Sequence, residues 1–342
     1  MKKWIIGVLC VTLCIVLAVG TANFLVDPLM QYRLLPQLFS FAAYSYDYIN
    51  PGVARNADYD AVLVGTSLAE NADMDVYENA FGCRMIRMIY PGGTTRNFAL
   101  ILDVAFRAHM PALVLWSVDD TLFLQDGSEF NHAMPEYLYD DSRLNDVSYL
   151  LNLSVFYNFT CKDVALSLAG RSDRPILRHD VWSEKQKFGK DAVLAAAKAE
   201  AEQSGQEDTA DLPANAADNL QTHILPMLRA HPDTRFDFFF PPKCVTYWQT
   251  ALQNGSFDAK FQAMRYVVQT LLRQENAHVF FFADRMEWTT DYELYKDGVH
   301  FKQSVNNAMG EAIAQGESEL TQDSFDAVLQ SAEQALRNAA AP

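Results

Sequence analysis

The stretch Gly65-Thr66-Ser67-Leu68-Ala69-Glu70 follows directly on an apolar run at residues 61–64, so Ser67 stands just past the end of a buried strand. A hydroxyl at such a turn can serve as a nucleophile, because the N–H groups at the start of a following helix point toward a developing oxyanion. The ordinary alternative is a serine that caps that helix. Far along the chain, Tyr295-Lys296-Asp297-Gly298-Val299-His300-Phe301 places a carboxylate and an imidazole three residues apart. On one tight turn the imidazole can face a nucleophile while the carboxylate fixes its tautomer, which is the division of labour of a catalytic triad. Taken alone, the pair also reads as a surface turn with a capping carboxylate.

These residues need a frame that brings positions 67 and 300 together, and the hydrophobic pattern supplies one. Continuous apolar runs at 61–64, 85–89, 113–116, 236–240 and 279–282 have the length and flanks of strands buried on both faces of a parallel sheet. Helical patterns at 95–108 and 259–274 lie between some of them. The alternation implies βαβ units and an α/β fold, a three-layer α/β/α sandwich whose sites gather at the carboxyl ends of the strands. The first half of this domain spans 58–125 and the second half 232–315. Between them, residues 126–231 lose the alternation and are expected to form a mainly helical insertion. Within it, 191–218 is rich in Ala, Glu, Gln and Asp, either a solvated helix with a loop or a partly disordered stretch. The tail at 316–342 has helix-forming composition and is expected either to pack back or to project.

Ahead of the domain, Lys2 and Lys3 precede an uncharged apolar run from Trp4 to Val26. At about 1.5 Å per residue it is long enough to cross a hydrocarbon core of about 30 Å. Residues 1–26 are therefore expected to be a membrane anchor with its lysines in the cytoplasm and everything after Val26 outside. A cleaved signal peptide is the competing reading, since small residues occur at Ala18-Val19-Gly20 and Gly20-Thr21-Ala22. Residues 27–57 contain Pro28 and Pro36 among aromatics and are expected to pack as a juxtamembrane segment.

With 43 acidic against 27 basic residues and a net charge of −16, nucleic acid and anionic headgroups are excluded as partners of the main domain. Cys83, Cys161 and Cys244 are too widely spaced for a disulfide framework, leaving at most one bridge. The seven histidines show no metal-ligating spacing, so neither a metal nor another cofactor is expected. Lys243, Tyr247 and Trp248, after Phe238-Phe239-Phe240-Pro241-Pro242, either line a cleft or simply pack. Glu70 and Asn71 lie one turn past Ser67, where Glu70 either contacts a neighbouring loop or complements a helix start.

A serine after the first strand and D-x-x-H after the last resemble the SGNH/GDSL hydrolase superfamily. The nearest likeness is its membrane-anchored branch, that of the DltD and AlgJ/AlgX-like cell-envelope acyl-transfer proteins, which also matches the junction Phe24-Leu25-Val26-Asp27-Pro28. The resemblance implies a flavodoxin-like, mostly parallel sheet with Ser67 as nucleophile, His300 as general base and Asp297 as its orienting partner. It further implies an oxyanion hole made by the Ser67 amide and that of Gly93 in Tyr90-Pro91-Gly92-Gly93-Thr94, with Gly92 as the other register. The family's third block supplies an asparagine to that hole. This chain has Trp116-Ser117-Val118-Asp119-Asp120, and Asp119 is then either structural or a ligand for sugar hydroxyls. The implied function is a serine esterase or O-acyltransferase acting on acyl groups, acetyl first among them, of a cell-envelope polysaccharide. An integral-membrane acyltransferase is the implied partner. The alternative is an inactive member of the same fold that binds polymer or scaffolds that acyltransferase.

Overall fold

The computed structural model describes residues 1–34, 46–170, 186–203, 209 and 211–341. Two compact units divide them: one comprises 1–58, 103–109 and 133–176, the other 59–102, 110–132 and 177–342. The stretch 126–231 is thus shared between the units instead of forming a single insertion. The elements in its described part are helices, two of them, Lys190–Gln203 and Leu212–Asn219, covering most of the described acidic stretch. Residues 171–185, 204–208 and 210 of that stretch lie outside the described residues, as do 35–45 of the juxtamembrane segment.

In the first unit the apolar run forms one helix, Lys2–Val26, of 25 residues, with an 18-residue window of mean hydropathy 2.7, long and apolar enough to span a membrane. It stops where Asp27 turns left-handed (φ 45°) and donates its N–H to Asn23 O, followed by Pro28, which cannot continue a helix. Residues 29–30 then cross the helix Tyr46–Asn56 at Gly52, where an added Cβ would lie 2.3 Å from Leu29 O. Only glycine permits that approach.

In the second unit six strands form one sheet in the order β2-β1-β3-β4-β5-β6, where β1 is Ala61–Gly65, β2 Met85–Ile89, β3 Leu113–Ser117, β4 Arg235–Phe240, β5 Ala277–Phe281 and β6 Glu319–Leu320. The first five run parallel, and β6 is antiparallel to β5. The two-residue β6 is absent from the expectations for the tail because it is too short to have a period. The rest of the tail packs back: helix Phe325–Ala340 buries Phe325, Leu329, Ala332 and Leu336, one face at helical spacing. The sheet centre is aromatic, with Trp116 stacked on Phe238 at 5.6 Å and edge-on to Phe98 at 5.5 Å. Removing a side chain as large as Trp116 from this centre would cost about 3–5 kcal/mol. The chain reverses its direction of travel across the sheet at β1, whose neighbours are β2 and β3. A crevice opens at such a switch point, outside the carboxyl ends of the strands.

Candidate active site

Val64 stands opposite Trp116 in register, so the residues after β1 and after β3 emerge side by side at the switch point. Gly65 lets them do so. A Cβ there would lie 2.8 Å from that of Ala69 and 2.9 Å from that of Ser117, both too close for real side chains. Immediately beyond, Ser67–Ala69 forms one short 3-10 turn with Thr66 as its cap. The turn's own bonds run from Ala69 N to Thr66 O (3.1 Å) and from Glu70 N to Ser67 O (3.3 Å), so the Ser67 amide at its start is not used by them.

Ser67 Oγ lies 2.8 Å from His300 Nε2, and His300 Nδ1 lies 2.8 Å from Asp297 Oδ2. A carboxylate only accepts, so Nδ1 carries the ring proton, and Nε2 presents its lone pair to the serine hydroxyl. The same carboxylate shapes its own loop: Asp297 Oδ1 accepts from the amides of Val299 (2.9 Å) and His300 (2.7 Å). The loop is closed by Lys296 N donating to His300 O (3.1 Å) and anchored to the segment after β4 by Cys244 N donating to Gly298 O (3.0 Å). Burial works against the charge on Asp297, but the His300 ring and the two amides outweigh it and hold its carboxyl below the usual carboxylate range. Ser67 is half-buried, and the His300 and Asp297 side chains keep 21 % and 25 % of their surface, so all three remain in contact with solvent. The three residues, 233 positions apart in the chain at their extremes, therefore meet with the geometry of a nucleophile, a base and an orienting acid.

Two buried asparagines lock the serine turn to the histidine loop. Asn71 Nδ2 donates to Phe301 O (2.6 Å), and Asn306 Nδ2 donates to Leu68 O (2.8 Å) and to Asn71 Oδ1 (2.6 Å). Arg87, buried on β2, donates from Nη1 to Glu70 O (2.6 Å) and Ala72 O (2.7 Å) and fixes the next few residues. The Asn71 side chain thus reaches the histidine loop, a role that the sequence does not lead one to expect of it. Asn306 carries no sequence signal of its role, because its partners are all distant in the chain.

The Gly93 amide does not offer the oxyanion donor that the resemblance implies, and Asp119 is engaged structurally. Tyr90-Pro91-Gly92-Gly93 is a tight turn with Gly92 at φ 65°, and the Gly93 N–H closes it by donating to Tyr90 O at 2.7 Å. That amide is committed within its own turn. Glycine is needed at 93 for a steric reason instead, since a Cβ would lie 2.5 Å from that of Tyr90. Asp119 Oδ2 accepts from the Thr66 hydroxyl, while its Oδ1 accepts from Thr121 N (2.9 Å) and Thr121 Oγ1 (2.7 Å). The carboxyl is turned onto the residue preceding Ser67 and onto the helix start at Thr121. Burial pushes its pKa up, with the bonds from Thr66 and Thr121 acting in opposition.

Its neighbour Asp120, which sequence patterning passes over, forms a buried ion pair with Lys243 and accepts from the Tyr247 hydroxyl. Burial raises the Asp120 pKa, but Lys243 and Lys260 more than compensate and keep it below the usual range. Lys243 and Tyr247 are thus engaged with Asp120, and Trp248 packs against Phe257 and Phe261 at 5.6 and 5.3 Å. All five cysteines are unpaired. Among the described residues, no group of three or more His, Cys, Asp or Glu is arranged to hold a metal ion. No family model matches the chain, and no curated protein matches it.

Proposed function

We propose that this chain is a membrane-anchored serine esterase or O-acyltransferase that handles acyl groups, acetyl foremost, of a cell-envelope polysaccharide through a Ser67 acyl-enzyme. The observation that carries the reading is the unbroken chain from Ser67 Oγ through His300 to Asp297, with 2.8 Å at each step. Its placement after the first strand and after the last parallel strand supports the SGNH/GDSL likeness. So does the strand order β2-β1-β3-β4-β5, which is that of a flavodoxin-like three-layer α/β/α sandwich. The helix Lys2–Val26, with Lys2 and Lys3 ahead of its apolar run, supports a single-pass topology with the main domain outside the cytoplasm.

In this mechanism Ser67 Oγ attacks the ester carbonyl while His300 Nε2 takes the hydroxyl proton. The tetrahedral intermediate collapses, the bond to the sugar oxygen breaks, and His300 returns the proton to that oxygen. Water or a second sugar hydroxyl then gives its proton to His300 and attacks the acyl-Ser67 ester; the bond to Ser67 Oγ breaks, and His300 returns the proton to that oxygen as the acid or new ester leaves. Asp297 holds the ring in the tautomer that both half-reactions need.

A second reading has its own support. With the Gly93 amide bound to Tyr90 O and Asp119 engaged by Thr66 and Thr121, the oxyanion donors available are few. That favours an inactive member of the fold that binds polymer or scaffolds an integral-membrane acyltransferase. Turnover of p-nitrophenyl acetate by the full-length protein in detergent separates the two. Ser67-dependent release of p-nitrophenol with an initial burst is the expected result. Equal rates in wild type and Ser67→Ala would refute the enzymatic reading in favour of the binding one.

A further inference from the structure

We infer that residues 147–160 form a second membrane contact, an interfacial platform that dips into the bilayer beside the anchor helix. The inference rests on reading helix Lys2–Val26 as the membrane anchor. It is independent of which side of the membrane the chain emerges on.

From Val147 to Thr160 the sequence, VSYLLNLSVFYNFT, contains no charged residue, although the chain as a whole is strongly acidic. Its structure is short helical pieces, Val147–Leu150, Leu153–Val155 and Phe156–Thr160, so its backbone groups are largely satisfied locally, as apolar surroundings demand. Several of its large side chains nevertheless face outward: Val147 and Leu151 are exposed, Leu153 is 56 % exposed and Tyr157 65 %. Exposed large apolar side chains gathered in one uncharged segment are what an interaction surface presents.

The anchor shows what covers it. Three residues of helix Lys2–Val26 are buried, Val19, Asn23 and Val26. The segment 147–160 packs on this face at Gly20 and Asn23: Leu151 Cδ2 would be 3.1 Å from a Cβ on Gly20, and Asn23 Nδ2 donates to Leu150 O (2.8 Å) and Asn152 O (3.3 Å). Asn23 Oδ1 in turn accepts from Thr160 Oγ1 at 2.7 Å. Gly20 is six residues from the helix end, so at about 1.5 Å per residue the segment reaches roughly 9 Å down the anchor. That is the depth, about 5–10 Å, at which interfacial helices bury their apolar faces. The one amide side chain inside the anchor's apolar run is thereby satisfied by the same segment, which fits the rule that polar groups at membrane depth face protein. Exposed Tyr157 and half-buried Phe156 and Phe159 supply the aromatic content typical of the membrane–water boundary.

The test uses the unaltered full-length protein in phosphatidylcholine vesicles doped with a lipid bearing a diazirine in its acyl chain. After irradiation, labelled peptides are identified by mass spectrometry. Labelling of both the Lys2–Val26 helix and 147–157, well above that of β4 peptides, is expected. Labelled helix with unlabelled 147–157 would overturn the platform while leaving the anchor standing. An unlabelled helix would overturn the anchor, and the platform with it.

Discussion

Replacing Asp297 by asparagine separates the catalytic role proposed for this residue from its structural one. The carbonyl of the introduced amide can keep the place of Oδ1 and go on accepting from the Val299 and His300 amides, at 2.9 and 2.7 Å in the native loop. Its nitrogen then takes the place of Oδ2 and opposes the His300 Nδ1–H, which in the native protein lies 2.8 Å from a carboxylate oxygen. Donor faces donor. The ring relieves this by carrying its proton on Nε2, and Ser67 loses its base. Loss of the correct tautomer in such a triad costs about 10⁴-fold in kcat, or about 5.4 kcal/mol in the barrier. Stability should suffer far less, about 1 kcal/mol, because one charge-assisted hydrogen bond between partly exposed side chains is removed and the turn is retained. The assay is ester turnover beside thermal unfolding, with Asp297→Ala as the variant that loses the turn as well. An Asp297→Asn protein that folds normally and keeps more than about a tenth of the wild-type kcat would refute this account of His300.

Gly65→Ala forces apart the ends of β1 and β3 and the serine turn, because its Cβ would sit 2.8 and 2.9 Å from those of Ala69 and Ser117. The expected cost is about 1–3 kcal/mol in unfolding free energy, and a displacement approaching about 1 Å at Ser67 would lower kcat about 10²-fold. Asn306→Ala leaves Leu68 O and Asn71 Oδ1 without a donor that they now share. Urea unfolding should register a loss of about 1–3 kcal/mol, with kcat falling more than KM rises. For pH, the Asp297 carboxyl is depressed below its ordinary value of 3.8 in the folded protein. Its contribution to stability is therefore complete above that value and is lost as pH falls through the folded pKa. The acid limb of a melting-temperature profile should be steeper in wild type than in Asp297→Asn.

The parallel strands were legible because each is a short continuous apolar run bounded by turn residues, the pattern of a doubly buried strand. β6 was not, since Glu319 and Leu320 are placed by pairing with β5 and have no pattern of their own. Within the candidate site, Ser67 and the Asp297–His300 turn could be picked out by residue type and position. The distances among them depend on residues that local sequence leaves silent: Gly65 by its lack of a Cβ, Asn71 and Asn306 by bonds spanning more than two hundred residues. Gly93 and Asp119 mark the limit of motif reasoning. A motif gives the residue type at a position but not where an amide or a carboxyl points, and here both are directed to neighbouring groups of their own unit. The ion pair of Asp120 with Lys243 escaped notice for the same reason, as it joins the loops after β3 and β4.

The central claim is that Ser67 is an activated nucleophile, and covalent capture tests it most directly. The full-length protein would be treated with a fluorophosphonate at neutral pH and its intact mass and peptides analysed. The account predicts a single adduct on Ser67 that is absent in Ser67→Ala and strongly slowed in His300→Ala. A protein that is folded yet takes up no label, or one labelled equally well after Ser67→Ala, would contradict it.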